Sequence, residues 1–222
     1  KNILTISHTK AQEIKKRYGK TCSVIPCGVN RPVEICNSDI LKRFNIKAGY
    51  YYLTIGRIDP IKNLDILIDA FNKRDNSKFQ LVIAGDFAND YGLSLIECAK
   101  SNPNIIFVGR VMGNDKEFLL KNCFVNCLVS SSEGMPISLL EAMAYGKPCI
   151  VSDIPAIHEV VQNDWVKWCN ARDINSLANQ MSVSESNYNA TISSGKEMAN
   201  YIMKNHTWDK IAQRYIDYII QL

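Results

Sequence analysis

Short apolar runs and amphipathic segments alternate along most of this chain, which is the pattern of alternating strands and helices. The apolar runs predict seven strands, at residues 3–6, 23–26, 51–55, 81–84, 105–108, 124–129 and 149–151. The amphipathic segments predict six helices, at 9–18, 38–44, 62–73, 90–101, 115–121 and 137–145. Beyond these, the pattern predicts three helices with no strand between them, at 174–181, 185–204 and 208–222. The expected fold is therefore α/β: a Rossmann-like parallel sheet with helices on both faces and extra C-terminal helices.

Glycine or serine follows four successive predicted strands. Gly56, Gly85 and Gly109 end the first three, and serines before Glu133 end the fourth. Ligands of open parallel sheets bind at the carboxyl ends of the strands, and glycine lets a ligand come close to the backbone. A single glycine would mean only that a strand ends, but three in register favour a binding site at this edge.

The segment 130–148 carries the most specific pattern in the chain. Its helix follows Pro136, which has no N–H to donate and suits the first helical position. The amides of Ile137, Ser138 and Leu139 are then expected to be free donors at the positive end of the helix dipole. Such a helix start suits a phosphate.

Two glutamates lie on either side of this helix start. Glu133 is in the loop before the helix, and Glu141 lies about one turn into it, with a side chain that leans back toward the start. Carboxylates beside a phosphate site are unfavourable for the phosphate alone. Their presence favours a ligand that carries both phosphate and sugar hydroxyls. The alternative interpretation is an exposed loop acid for Glu133 and a helix-capping or salt-bridging carboxylate for Glu141.

A second polar block follows the strand at 51–55. Asp59 suits an N-cap and Pro60 the first helical position, so Lys62 is expected in the first turn of the helix, where a cation opposes the dipole. One interpretation is a misplaced exposed lysine. The functional interpretation is that Lys62 and Arg57 neutralise a bound diphosphate, which arginine can bind bidentately.

The composition argues against several other classes of protein. The chain has 222 residues, 46% of them hydrophobic, and a formal net charge of +4 without a basic stretch dense enough for a nucleic-acid groove. No apolar stretch approaches the ~20 residues that span a bilayer. The eight cysteines are scattered, form no C-x-x-C pair and lie far from the three histidines in sequence. Reduced core thiols of a cytosolic protein are therefore favoured over disulfides or a metal site. The start at Lys1 suggests a piece of a longer protein.

Taken together, these residues resemble the C-terminal, donor-binding domain of a GT-B glycosyltransferase of the retaining family 4. The matching blocks are residues 56–63, 81–85, 106–109 and 133–148. The resemblance implies one half of a GT-B fold in three parts. Residues 1–28 would be the end of the acceptor domain and the crossover, 29–205 the Rossmann-like nucleotide-sugar-binding domain, and 206–222 a helix that returns to the acceptor domain.

The resemblance also implies residue roles. Glu133, Arg57 and Lys62 would form the catalytic set, with the two cations on the donor diphosphate and Glu133 on the transferred sugar. Glu141 would bind the ribose. The implied donor-binding residues are Gly56, Arg110, Val111, Gly134, Met135, Pro136, Ile137, Ser138, Leu139 and Glu141. Arg110 and Val111 would lie near the base. Such enzymes need no metal or other cofactor, and this chain has no Asp-x-Asp pair to hold Mg²⁺ between phosphates.

The implied activity is transfer of a hexosyl unit from a nucleoside-diphosphate sugar to a glycan or lipid acceptor, in glycan biosynthesis. The acceptor would be held by a missing N-terminal domain, so the chain alone is expected to be inactive. No nucleic-acid partner is expected, and the location is expected to be cytoplasmic, at the inner face of a membrane if the full-length protein associates peripherally with it. Two alternatives stay open: a nucleotide-sugar epimerase on the same fold and a non-catalytic nucleotide-sugar-binding module.

Overall fold

The computed structural model describes residues 3–34, 38–74, 78–161 and 164–221. Within them the strands are β1 (Leu4–Thr5), β2 (Ser23–Val24), β3 (Tyr51–Ile55), β4 (Gln80–Ala84), β5 (Ile105–Gly109), β6 (Val125–Leu128), β7 (Cys149–Ser152) and β8 (Lys167–Cys169). The helices are α1 (His8–Tyr18), α2 (Ile40–Arg43), α3 (Leu64–Asn72), α4 (Asp90–Ala99), α5 (Gly113–Asn122), α6 (Ile137–Ala144), α7 (Pro155–His158), α8 (Ile174–Ser186), α9 (Tyr188–Ser193), α10 (Lys196–Asn205) and α11 (Trp208–Ile220). A 3₁₀ turn, Pro60–Lys62, precedes α3.

Six strands form one parallel sheet in the order β5-β4-β3-β6-β7-β8. The order reverses between β3 and β6, where Tyr52 pairs with Val125 and Leu53 with Asn126. β1 and β2 form a separate two-stranded parallel sheet. This is the doubly wound arrangement that the alternating pattern predicted, and its ligand position is the reversal between β3 and β6.

Side chains of β3 alternate between two apolar cores, one on each face of the sheet. Tyr51 and Leu53 belong to the core covered by α5, α6 and α10. Tyr52 belongs to the core covered by α3, α4 and α8. Because both faces are covered, each central strand is mostly apolar on both faces instead of alternating between apolar and polar residues, which is why these strands could be found in the sequence.

A strand that the sequence analysis did not predict, β8, precedes the C-terminal helices. β8 is an edge strand of three residues that pairs only with β7, and Lys167 and Trp168 are only partly buried. Such a strand leaves no apolar run in the sequence.

The helix predicted at 185–204 is divided among the end of α8, α9 and α10, with breaks at Asn187 and Gly195. At Gly195 a Cβ would lie 1.7 Å from the carbonyl oxygen of Gly146, so this position packs directly against the end of α6. Helical periodicity in the sequence cannot predict a backbone contact between two glycines that are far apart in the chain.

The seven described cysteines are all free. Burial raises the pKa of the Cys123 and Cys169 thiols to about 12, and it also raises that of Cys127 and Cys149. These thiols are therefore unreactive core residues. Within the described ranges, none of the helices has both the length and the apolar character that crossing a bilayer requires.

Candidate functional site

An open cleft of about 410 Å³ lies at the carboxyl ends of β3, β4 and β5. It is lined by Ile55, Gly56, Arg57, Ala84, Gly85, Asp86, Arg110 and Val111. The sequence-predicted residues Gly56, Arg57, Arg110 and Val111 therefore come together in one cleft. At Gly56, which is exposed and has no side chain, the backbone itself borders the cleft.

The strand-end glycines differ in what they do. A Cβ on Gly56 or Gly109 would meet nothing within 4 Å, so these positions stay open to a ligand. A Cβ on Gly85 would lie 2.4 Å from the Gly56 carbonyl oxygen and 2.5 Å from the Ile58 side chain. Gly85 is therefore glycine because the ends of β3 and β4 touch there. At this position the expectation that glycine lets a ligand come close to the backbone was wrong.

The loop after β3 is tied to the loop after β6. The side-chain nitrogen Nδ2 of Asn63 donates to the Val129 carbonyl and to Ser131 Oγ, both at 2.8 Å. The backbone amide of Ser131 donates to the Ile61 carbonyl at 2.8 Å. Asn63 has a left-handed backbone with φ of 50°, a conformation that asparagine tolerates better than most residues. This link places Lys62 beside Glu133.

Lys62 Nζ lies 2.6 Å from Glu133 Oε1, which also accepts a hydrogen bond from Ser130 Oγ at 2.6 Å. The Lys62 side chain is 18% exposed and that of Glu133 is 9% exposed. The other carboxylate oxygen of Glu133, Oε2, has no hydrogen-bond partner among the described residues. This oxygen can accept from a ligand hydroxyl while Oε1 stays fixed.

The position of Lys62 differs from the expected first turn of a helix. It ends the 3₁₀ turn Pro60–Lys62, and α3 begins only at Leu64. Asp59 does cap this turn, since its side chain accepts a hydrogen bond from the Ile61 amide at 3.0 Å. Lys62 still lies one residue before Asn63, the N-cap of α3, and the Glu133 carboxylate stabilises its ammonium there.

Arg57 lines the cleft with a side chain that is 81% exposed, and its nearest acid is Asp59, at 3.8 Å. An exposed pair at this distance contributes little to stability. The guanidinium is therefore free to reorient toward an anion in the cleft.

The start of α6 has fewer free amides than the sequence suggested. Pro136 is the N-cap, with φ of −81° and ψ of 77°, and not the first helical residue. The Ile137 amide donates to the Met135 carbonyl and the Leu139 amide to the Pro136 carbonyl, each at 3.0 Å. In the described part of the chain only the Ser138 amide of these three has no partner. The tight turn at Pro136 uses the other two donors.

Glu141 projects from α6 toward Lys116 of α5. Glu141 Oε1 accepts a hydrogen bond from Lys116 Nζ at 2.8 Å, and a Glu117 oxygen lies 3.7 Å from the same ammonium. Burial by itself lowers the pKa of Lys116, but the hydrogen bond and charge of Glu141 and the charge of Glu117 outweigh it and raise the pKa. Sequence reasoning missed Lys116, because nothing in the sequence pairs it with a residue 25 positions away.

The N-terminal segment contacts the same loop. A Cβ on Gly134 would lie 3.5 Å from Ile6 Cδ1 and 3.7 Å from Lys10 Cε. Glu159, after α7, accepts hydrogen bonds from the His8 and Thr9 amides, each at 2.6 Å, and from the Thr9 hydroxyl. The Glu159 carboxylate thereby caps the start of α1 and joins residues 3–28 to the main sheet domain, a contact that the sequence analysis did not anticipate.

The start of the last helix contacts residues 28 and 29, where a Cβ on Gly28 would lie 2.9 Å from Trp208. Val29 donates to the His206 carbonyl at 2.7 Å and accepts from the Trp208 amide at 3.2 Å. Along the apolar stripe of α11, Ile211 is buried but Tyr215 and Ile219 are exposed. Leu222, the last residue of that stripe, lies outside the described residues.

Among the described residues there is no group of three or more His, Cys, Asp or Glu side chains that could hold a metal ion. The charged residues that line the cleft are instead Arg57, Asp86 and Arg110, and Lys62 and Glu133 lie beside it at the β3–β6 reversal.

A family model for group 1 glycosyl transferases matches residues 38–214. The O-antigen chain mannosyltransferase RfbU of Salmonella typhimurium is 30% identical over 169 residues, which are 73% of this chain and 45% of that protein. An Escherichia coli galactosyltransferase, whose name gives GlcNAc-diphosphoundecaprenol as its acceptor, is 28% identical over 219 residues, 89% of this chain and 54% of that protein. The chain thus spans about half the length of these relatives.

The structure of HepE from Anabaena, in complex with UDP and glucose, has the same fold. It superposes with a TM-score of 0.88 at 18% identity, over 100% of this chain and 63% of that one.

Proposed function

The chain belongs to the group 1 glycosyl transferases, and on that premise we propose that it is the donor-binding half of a retaining glycosyltransferase. The full protein would move a hexosyl unit from a nucleoside-diphosphate sugar to a glycan or lipid acceptor. The observation that carries this proposal is the 2.6 Å pair of Lys62 and Glu133 at the β3–β6 reversal, beside the cleft that contains Arg57. Cations and a carboxylate in one place suit a ligand with both a diphosphate and sugar hydroxyls.

The chemistry that we propose places the two cations on the leaving group. Arg57 and Lys62 neutralise the charge that grows on the departing diphosphate, which is the charge that most needs stabilising in the transition state. The leaving phosphate takes the proton of the acceptor while positive charge develops at the anomeric carbon. Glu133 accepts hydrogen bonds from sugar hydroxyls through its free oxygen. In this scheme the reaction needs no metal, because the two side chains supply the positive charge.

The rest of the donor has a proposed place in the same region. Glu141 accepts hydrogen bonds from the ribose hydroxyls. Arg110 and Val111 border the base at the far side of the cleft. The Ser138 amide and the backbone from Gly134 to Leu139 face the phosphates and sugar. Support comes from the Ser138 amide, which has no partner among the described residues, and from the cleft position of Arg110 and Val111.

The acceptor would be held outside this chain. The matched part of the chain covers 45% and 54% of these two relatives, so the rest of the full protein would supply the acceptor domain. One relative is named for a lipid-diphosphate acceptor, which supports a glycan or lipid acceptor and a peripheral place at the inner membrane face. The free, buried thiols support a cytoplasmic location. The net charge of +4 and its even spread give no support to a nucleic-acid partner.

The test is a panel of UDP-, GDP- and ADP-sugars with the full-length protein. A donor at 100 times its Kd should stabilise the fold by about 2.7 kcal/mol, which a melting curve detects. Product analysis with that donor should then show release of the nucleoside diphosphate together with transfer or hydrolysis of the sugar. An epimerised donor would identify the epimerase, and donor binding without turnover would identify a binding module. The family match favours transfer over both.

A further inference from the structure

The ion pair of Lys116 and Glu141 joins two helices that border the proposed nucleotide position. α5, which carries Lys116, follows directly after Arg110 and Val111 of the cleft. α6, which carries Glu141, begins at the Glu133 loop. The pair, at 2.8 Å, therefore connects the helix after the proposed base contacts to the carboxylate proposed to bind the ribose.

The Lys116 ammonium is held in place from more than one side. It is partly buried, and it lies between Glu141 and Glu117. Burial and a hydrogen bond with Glu117 raise the pKa of Tyr145 to about 12, so this phenol stays protonated. The Tyr145 oxygen in turn accepts from the Val33 amide at 3.3 Å. Glu141 and Glu117 thus hold the Lys116 ammonium in place without a bound ligand.

We propose that Lys116 is a positioning residue for Glu141 and thereby sets the preference of the site for ribonucleotides over 2′-deoxyribonucleotides; this inference rests on the proposed function. A carboxylate has about four lone-pair positions on its two oxygens. Lys116 occupies one of them on Oε1. The remaining positions can then accept both hydroxyls of a ribose, in an orientation that the ion pair fixes in advance.

The alternative role for Lys116 is to compete with the ribose for Glu141. In that case removing the ammonium would free Glu141 and strengthen ribonucleotide binding. Positioning predicts the opposite sign, since a partly buried glutamate without its partner can adopt other rotamers, and ordering it again costs free energy.

The experiment compares nucleotide pairs by calorimetry on the full-length protein: UDP with 2′-deoxy-UDP, and GDP with 2′-deoxy-GDP. For the base that binds, Lys116→Met should lower the ratio of ribonucleotide to deoxyribonucleotide affinity by roughly 3–10-fold, as expected for partial loss of a charge-assisted hydrogen bond. Lys116→Arg should restore most of the ratio. Lys121→Met changes an exposed lysine on the same helix and should keep the wild-type ratio.

Glu141→Ala separates this inference from the proposed function. It should abolish the ribose preference, and Lys116→Met added to it should change the ratio no further. Suppose that Glu141→Ala abolishes the preference. If Lys116→Met then keeps the preference, weakens the binding of both nucleotides equally or strengthens ribonucleotide binding, the positioning role of Lys116 is wrong. The ribose contact of Glu141 stands in each of these cases. If Glu141→Ala itself keeps the preference, both assignments fall.

Discussion

At the scale of single residues, Glu133 is the carboxylate whose surroundings are most specialised. One of its oxygens is held by Lys62 and Ser130, and the other has no partner among the described residues. Glu133→Gln keeps the shape but removes the charge. We expect kcat of the full-length enzyme to fall on the order of 10²-fold with a much smaller change in KM, because the contact strengthens as charge develops on the sugar.

Steady-state kinetics with the identified donor measures this effect. Glu197→Gln, an exposed glutamate on α10, is the matched control and should leave both constants unchanged. A raised KM with an unchanged kcat would show that Glu133 contributes only to binding.

Arg57 and Lys62 should recognise the terminal phosphate of the nucleotide. We expect Arg57→Ala and Lys62→Ala each to weaken nucleoside-diphosphate binding by about 1.5–3 kcal/mol, with a smaller loss for the monophosphate. The two variants should differ in stability, since Arg57 is exposed whereas Lys62→Ala leaves Glu133 without its cation. Calorimetry with both nucleotides and a melting curve of each variant measure these effects. Equal losses for the two nucleotides would exclude contact with the terminal phosphate.

The sequence predicted much of this residue set, but not its mutual contacts. Residue types and spacing marked Lys62 and Glu133 as candidates, yet their direct pairing depends on the Asn63 link between two loops. The free amides at α6 were overestimated, since the turn at Pro136 depends on a ψ angle that sequence does not show. Lys116 could not be found, because an ion pair between two helices has no local pattern.

At the scale of elements, the junction of α3 and α8 contains a buried ion pair. The Arg74 side chain is 2% exposed and that of Glu185, near the end of α8, is 7% exposed. The guanidinium also lies 3.9 Å from the Phe71 ring centroid, and the Tyr52 hydroxyl donates to Glu185 at 2.9 Å. Removing one partner leaves a buried charge uncompensated, which typically costs 3–5 kcal/mol.

We therefore expect Glu185→Ala to lower the free energy of unfolding by about 3–5 kcal/mol. Urea denaturation measures the change. The control is Glu97→Ala, which breaks an exposed pair with Lys100 and should cost less than about 1 kcal/mol. Similar losses in the two variants would mean that the buried pair does not hold α8 to α3.

The junction of α10 and α11 should make stability depend on pH. Burial, together with the charge of Arg214, lowers the pKa of His206, although a hydrogen bond with the Cys27 backbone opposes this. The unfolded chain therefore binds a proton at this position more readily than the folded one. The folded state with a neutral His206 therefore has its full stability above about pH 6.5. That stability falls as the pH drops below this value, because protonation of His206 favours the unfolded chain.

Denaturation midpoints measured from pH 7.5 to 5 should fall with pH in the wild type. His206→Gln should reduce that slope, whatever its effect on stability at pH 7.5. Parallel pH profiles for the two proteins would exclude His206 as the cause.

The elements that the sequence predicted best are those buried on both faces. The central strands β3, β4 and β6 leave continuous apolar runs, so they were found with nearly correct ends. β8 was missed because an edge strand with Lys167 and Trp168 has no such run. The breaks between α8, α9 and α10 depend on tertiary contacts such as Gly195 against Gly146.

At the scale of the whole molecule, the proposed function separates donor binding from sugar transfer. We expect residues 1–222 to bind a nucleoside diphosphate and to transfer no sugar. Binding needs only the cleft, Lys62, the Ser138 amide and Glu141. Transfer also needs an acceptor held in line with the anomeric carbon, and orientation of this kind can supply ~7–11 kcal/mol of the barrier.

Calorimetry with UDP and GDP, together with a product assay on the same protein and a crude acceptor mixture, tests both parts. The full-length protein is the control for the assay. Robust transfer by residues 1–222 alone would overturn the division into donor and acceptor halves. Failure to bind any nucleoside diphosphate would overturn the donor site.

The order of the strands also determines when the site can form. Lys62 and Glu133 are 71 residues apart, and β4 and β5 must leave the growing sheet on one side before β6 can pair with β3 on the other. Closing so long a loop is a late and entropically costly event in folding. A folding intermediate that contains only β3, β4 and β5 presents Arg57 but not Glu133, so it cannot recognise the whole donor. On the proposed function, we expect a bound nucleotide sugar to slow unfolding and to leave the folding rate nearly unchanged.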